Sequence, residues 1–97
     1  MLQILGIDHI VLRVSERTRA LAFYCDLLGC ELEREVADLG LLQLRAGNSL
    51  IDLVLIDGQL GQAGGAAPGK DGRNVDHFCL RVDPFEPAEI TDRLRAA

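Results

Sequence analysis

Apolar and polar positions first fall into a strand-like alternation at residues 7–14. Ile7, His9, Val11 and Arg13 share one face; Asp8, Ile10, Leu12 and Val14 share the other. Ser15 is a suitable N-cap, and Glu16 then sits in a first helical turn, where the helix dipole favours negative charge. Over residues 17–28 the period becomes helical, with an apolar stripe of Ala20, Leu21, Tyr24, Leu27 and Leu28. Gly29 is placed to end that helix in a left-handed conformation. Three short strands are expected next, over residues 30–36, 41–45 and 50–56. The breaks between and after them hold Asp38, Gly40, Gly47, Asn48, Asp57 and Gly58, all turn formers. Residues 5–57 therefore read β-α-β-β-β.

Residues 58–73 are rich in glycine and lack any period, so a flexible surface connection is expected. They contain a match to GxxxxGK from Gly64 to Lys70. A phosphate loop is rejected: Asp71 stands where a Ser or Thr belongs, and Gly72-Arg73-Asn74 does not open a helix. A further strand is expected over residues 74–82, then a helix for which Pro87 suits the first turn and in which Ile90 and Leu94 are spaced four apart. This late strand nearly copies the first. Asp8-His9-Ile10-Val11-Leu12-Arg13-Val14 and Asp76-His77-Phe78-Cys79-Leu80-Arg81-Val82 agree at five of seven positions. The organisation is thus an internal repeat in a single α+β domain. A βαβββ module (5–57) is followed by a glycine-rich link (58–73) and an incomplete second module, βα (74–97).

Composition sets bounds on this picture. Ninety-seven residues, 48% hydrophobic and 26% charged, describe one small soluble globular domain. A net charge of −5 without any Lys/Arg run argues against a nucleic-acid partner. No apolar run approaches the roughly 18 residues that a membrane span needs. The three cysteines, Cys25, Cys30 and Cys79, are odd in number and lack CxxC spacing. The first residues show neither a basic start nor a cleavage site, so reduced thiols in a cytoplasm are the expectation.

The repeat also contains both histidines of the chain, at matching positions. Two imidazoles converging in a cleft suit a divalent metal: zinc, nickel, iron, cobalt or manganese. Either histidine alone reads as a hydrogen-bonded core residue; the duplication is what favours a shared site. Asp52 interrupts a strongly apolar run, on one face with Leu50, Val54 and Ile56. An ionised carboxylate there is costly unless paired or bound to a metal. An open wet cleft, or the solvent side of an edge strand, would also accommodate it. Asp8 and Asp76 lie on the face opposite the histidines and are expected to cap turns or meet arginines. Arg13 and Arg81 are in phase with the histidines, as solvated strand ends or anion contacts at a cleft rim.

These residues resemble the vicinal oxygen chelate superfamily, which includes glyoxalase I, bleomycin-resistance and fosfomycin-resistance proteins and extradiol dioxygenases. The resemblance rests on the first DH strand, on the helix end Ala22-Phe23-Tyr24-Cys25-Asp26-Leu27-Leu28-Gly29, and on Asn74-Val75-Asp76-His77-Phe78. It implies paired βαβββ modules curved around a metal-bearing cleft, with His9 and His77 as the two histidine ligands. Asp52 falls where glyoxalase-I-like members carry a Glu one methylene longer. The family's second module has three more strands, the last bearing a further Glu, and these are not in this chain. Association is therefore expected, as a homodimer whose modules pair between chains; a fragment without a complete site is the other outcome.

The functional expectation is a cytoplasmic, divalent-metal-dependent enzyme acting on a small oxygen-bearing substrate, by isomerisation (lyase chemistry) or by opening an aromatic ring with O₂ and Fe(II). Metal ligands would be His9, Asp52 and His77. Asp52 is the nameable catalytic base, although one carboxylate does not easily serve as both ligand and base. The alternatives are a metal-free antibiotic-binding protein, for which an acidic chain fits but four aromatic residues make a thin stacking pocket, and a non-catalytic fragment.

Overall fold

A computed structural model describes residues 2–97. The described residues form one four-stranded sheet: β1 (His9–Val14), β2 (Glu31–Val36), β3 (Leu41–Ala46) and β4 (Ser49–Leu55). Spatial order is β1-β4-β3-β2. β4 pairs parallel with β1 and antiparallel with β3, and β3 pairs antiparallel with β2. Helix α1 (Arg17–Leu21) follows β1, α2 (Gln59–Ala63) follows β4, and α3 (Pro87–Ala96) closes the described chain. The α+β module expected over residues 5–57 is present in full order.

The core lies on one face of the sheet. Leu42, Leu44, Ile51 and Leu53 are fully buried there, with Leu12 beside them and Ala20 and Cys30 covering them from the helix side. The registers Leu12↔Leu53, Leu42↔Leu53 and Leu44↔Ile51 put these side chains into adjacent rows. Period-two alternation then sends the intervening residues to the opposite face.

The helix expected over residues 17–28 is present but changes its winding. After α1, Ala22–Leu27 is wound as a π-helix. Leu28 N–H reaches back five residues to Phe23 O (3.1 Å). Gly29, at φ +83°, ends it as expected, with Gly29 N–H on Cys25 O and Cys30 N–H on Tyr24 O. The last carbonyls of a helix need donors from outside. Here Arg93 of α3 supplies them, from Nε to Leu27 O (2.9 Å) and from Nη2 to Asp26 O (3.5 Å). That pair of bonds docks α3 against the first helix.

Three expectations are corrected. Glu16, not Ser15, occupies the N-cap of α1, and no side chain caps it. The link over 58–73 is not wholly irregular, because α2 forms within it. A five-residue helix is too short to show a period, and its buried residue is a glycine, Gly61. A Cβ at Gly61 would land on the Leu55 carbonyl and the Ile56 backbone; α2 docks by backbone approach rather than by an apolar stripe. Finally, residues 74–82 form no strand. A strand needs a ladder partner, and among the described residues only the Asn74 side chain meets the outer edge of β1 near this segment.

Leu53, at 0% exposure on the central strand, should dominate stability. Leu53→Ala is expected to lower the unfolding free energy by about 2–5 kcal/mol, read from urea denaturation midpoints. A loss under about 1 kcal/mol would mean that this row is not close-packed.

Candidate metal centre

The face of the sheet away from α1 carries His9, Val11 and Arg13 from β1, Asp52 from β4 and Gln43 from β3. Register fixes their proximity: Asp52 stands opposite Val11 on one side and Gln43 on the other. Two residues before Val11, on the same face, His9 turns Nε2 to within 4.0 Å of Asp52 Oδ2.

Asp52 is 6% exposed. Gln43 Nε2 donates to its Oδ2 at 3.3 Å. Its Oδ1 is buried with no hydrogen-bond partner among the described residues. A buried carboxylate with one long bond and one bare oxygen is costly unless a cation completes it.

His9 is anchored from its other nitrogen. Nδ1 bonds Asp8 Oδ2 at 2.9 Å. The Asp8 bond, reinforced by the negative charge of Asp52, raises the His9 pKa above the usual imidazole value. With Nδ1 committed to a carboxylate, the neutral ring presents Nε2 as its free acceptor, the arrangement common to metal-bound histidines. The same local bond recurs in the second copy, where His77 Nδ1 lies 2.6 Å from Asp76 Oδ2. Asp8 and Asp76 therefore orient the neighbouring histidines instead of capping turns, and the charge of Asp8 also acts on Arg45.

The three sequence-derived ligands are thus divided. His9 and Asp52 come together. The His77 side chain is 84% exposed, and its one hydrogen bond among the described residues is with Asp76. No group of three or more His, Cys, Asp or Glu side chains among the described residues is placed to hold one ion. The donor chemistry of the pair suits a divalent metal. Bonds of about 2.0–2.2 Å to imidazole nitrogen and carboxylate oxygen allow one ion between atoms 4.0 Å apart. The pair supplies two donors of a set that needs at least one more protein ligand.

Gln43 was not anticipated. Its signal was available: an amide amid Leu41, Leu42 and Leu44, in phase with a buried carboxylate on the next strand. Arg13 is neither a solvated end nor an anion contact; its guanidinium lies against the carbonyls of Gly64, Gly65 and Ala66. All three cysteines are free, with Cys30 buried, and burial raises the thiol pKa values of Cys25 and Cys30. An apolar cavity of about 800 Å³ is bounded by Ile10, Ile51, Cys30, Phe78 and Leu80, and neither His9 nor Asp52 lines it. No helix among the described residues is long and apolar enough to cross a membrane.

A single module, a DH strand at its edge and a second DH segment after a link define a class of fold with known relatives. The family model of the Glyoxalase/Bleomycin resistance protein/Dioxygenase superfamily matches residues 6–97, and the chain belongs to that superfamily. No curated protein matches it. Among solved structures it is similar to an integron cassette protein from the mobile metagenome of the Halifax Harbour sewage outfall. That likeness has 18% identity and a TM-score of 0.68 over 96% of this chain and 71% of the other. A lactoylglutathione lyase from Agrobacterium tumefaciens is similar at 23% identity and TM-score 0.67, over 96% of this chain and 70% of that one. An integron cassette protein from the mobile metagenome of V. cholerae is similar at 17% identity and TM-score 0.60, over 99% and 70%. At these identities the likeness is one of fold.

The Asp8–His9 bond makes a titration prediction. A raised folded-state pKa stabilises the fold fully below the ordinary imidazole value of 6.5, and this contribution is lost as pH rises through the folded value. Asp8→Asn should lower the His9 pKa toward the ordinary value while Asp52 keeps it partly raised. An unchanged His9 midpoint in an NMR titration would show that Asp8 does not hold the ring.

Proposed function

We propose that this chain is a divalent-metal-dependent member of its superfamily that acts on a small oxygen-bearing substrate. The observation that supports this most directly is the buried Asp52 carboxylate, with Oδ1 unpartnered and Oδ2 4.0 Å from His9 Nε2. In this reading His9 and Asp52 are two protein ligands, and Asp8 holds His9 with Nε2 toward the site. Gln43 fixes one Asp52 oxygen and leaves the other free. A divalent ion held by these residues would supply Lewis acidity to an oxygen-bearing substrate.

His77 is the third ligand of the reading. Its exposed side chain and its own Asp76 bond leave Nε2 free to enter a site shared between copies of the chain, so the working assembly of this reading is a homodimer; the cytoplasmic setting of the reading rests on the three free cysteines. The lyase among the similar structures puts isomerisation first among the reactions; Fe(II)-dependent ring opening uses the same ligand types. In isomerisation Asp52 would take a proton beside a carbonyl only when it is not itself bound to the metal. A metal-free binding protein is the second reading. It is favoured by Gln43, which already donates to Asp52 and partly compensates a carboxylate that has no metal.

Metal analysis of the purified protein, with titrations of Zn²⁺, Ni²⁺, Co²⁺, Mn²⁺ and Fe²⁺, separates the two. Stoichiometric binding is expected, abolished in His9→Ala and Asp52→Asn and lost in His77→Ala. Asp8→Asn should weaken it by roughly 10–100-fold, as loss of an orienting carboxylate does. A folded protein that takes up none of the five ions would sink the metal reading. Binding that survives His77→Ala would remove the second histidine from the site.

A further inference from the structure

Asn74 makes an uncommon contact with the sheet. β1 is its terminal strand, with its inner edge paired to β4. Arg13 turns its backbone N–H and C=O to the outer edge, where the planar amide of Asn74 takes both. Arg13 N–H donates to Asn74 Oδ1 at 3.0 Å, and Asn74 Nδ2 donates to Arg13 O at 2.7 Å. An amide side chain has one acceptor and one donor group side by side, so Asn74 satisfies the two groups that a neighbouring strand would otherwise occupy.

The Arg13 side chain holds the other end of the same loop. Nη1 donates to Gly64 O, and Nη2 to Ala66 O and, more weakly, to Gly65 O at 3.5 Å. A Cβ at Gly64 would stand 2.8 Å from Nη1, so any larger residue there would make the guanidinium shift. Within the loop, Gly69 N–H turns back onto Gly72 O. One residue of β1 therefore ties residues 64–66 and residue 74, and the intervening stretch borders an open depression of about 530 Å³ beside Val11 and Arg13.

We propose that Arg13 and Asn74 form a two-point clamp that straps residues 64–74 across the Arg13 end of the outer edge of β1 and masks that end against strand addition. An open edge strand is a template for pairing with another chain. The clamp covers it with a side chain and a loop, and further pairing there requires the strap to lift. This does not depend on whether a metal binds.

Asn74→Ala and Arg13→Lys test the two points separately on the full chain, with circular dichroism confirming the fold. The Asn74 variant should speed exchange of the Arg13 amide by about tenfold or more, since that proton loses its bond. Trypsin should cut faster after Lys70 and Arg73, and sedimentation should reveal assemblies larger than those of the unsubstituted protein. Arg13→Lys removes the guanidinium fork but leaves the backbone bonds at position 13. Cleavage should then rise while exchange of that amide stays slow. The clamp is overturned if Asn74→Ala changes neither exchange nor cleavage. Masking is overturned if the strap is released in both variants and the assembly state stays the same.

Discussion

The arrangement depends on the position of β4 between two partners. Its parallel ladder with β1 and antiparallel ladder with β3 set Ile51 and Leu53 into the core against Leu12, Leu42 and Leu44. Alternation then leaves Asp52 no choice of face: it must project opposite to Ile51 and Leu53, between Val11 and Gln43. A slip of one residue would exchange the two sets and drive the carboxylate into the hydrocarbon row. Burial of five large aliphatic side chains therefore fixes where the acid stands and why His9 lies near it. The chemistry of the site is a by-product of core register.

Elements whose cause is periodic were legible in the sequence. The first strand declares itself by alternation, the next three as short stretches between turn formers, the first helix by its stripe, and its end by Gly29. Features whose cause is close backbone approach were not. α2 is held by what Gly61 lacks, and the strap lies against Arg13 through backbone carbonyls; neither leaves a hydrophobic pattern. The π winding after Leu21 was equally hidden, since a helical stripe of apolar residues does not distinguish five-residue from four-residue bonds. Residues 74–82 illustrate the opposite failure. Their pattern is strand-like, but a pattern expresses capacity to pair, and pairing needs a free edge. At the edge of β1 only Asn74 of this segment makes contact, and it does so with its side chain at Arg13. For the site, His9 and Asp52 were readable as a histidine and a costly carboxylate on in-phase faces, whereas Gln43 required knowledge of which strand neighbours β4.

The repeated heptapeptide separates local from non-local contributions to that site. Asp8–His9 and Asp76–His77 make the same bond, at 2.9 and 2.6 Å, although one lies on a paired strand and the other on an unpaired segment. The bond is between adjacent residues, so it follows from the dipeptide and not from the sheet. It commits Nδ1 and leaves Nε2 available in both copies. What the copies do not share is what Nε2 meets. His9 has Asp52 because β1 and β4 are in register; His77 has no such neighbour among the described residues, because its segment has no ladder. The freeing of its Nε2 is therefore complete at the level of the dipeptide, and what that nitrogen meets is a question of strand pairing. The Arg13–Asn74 contact, three residues before His77 and four after His9, sits where that pairing would be decided.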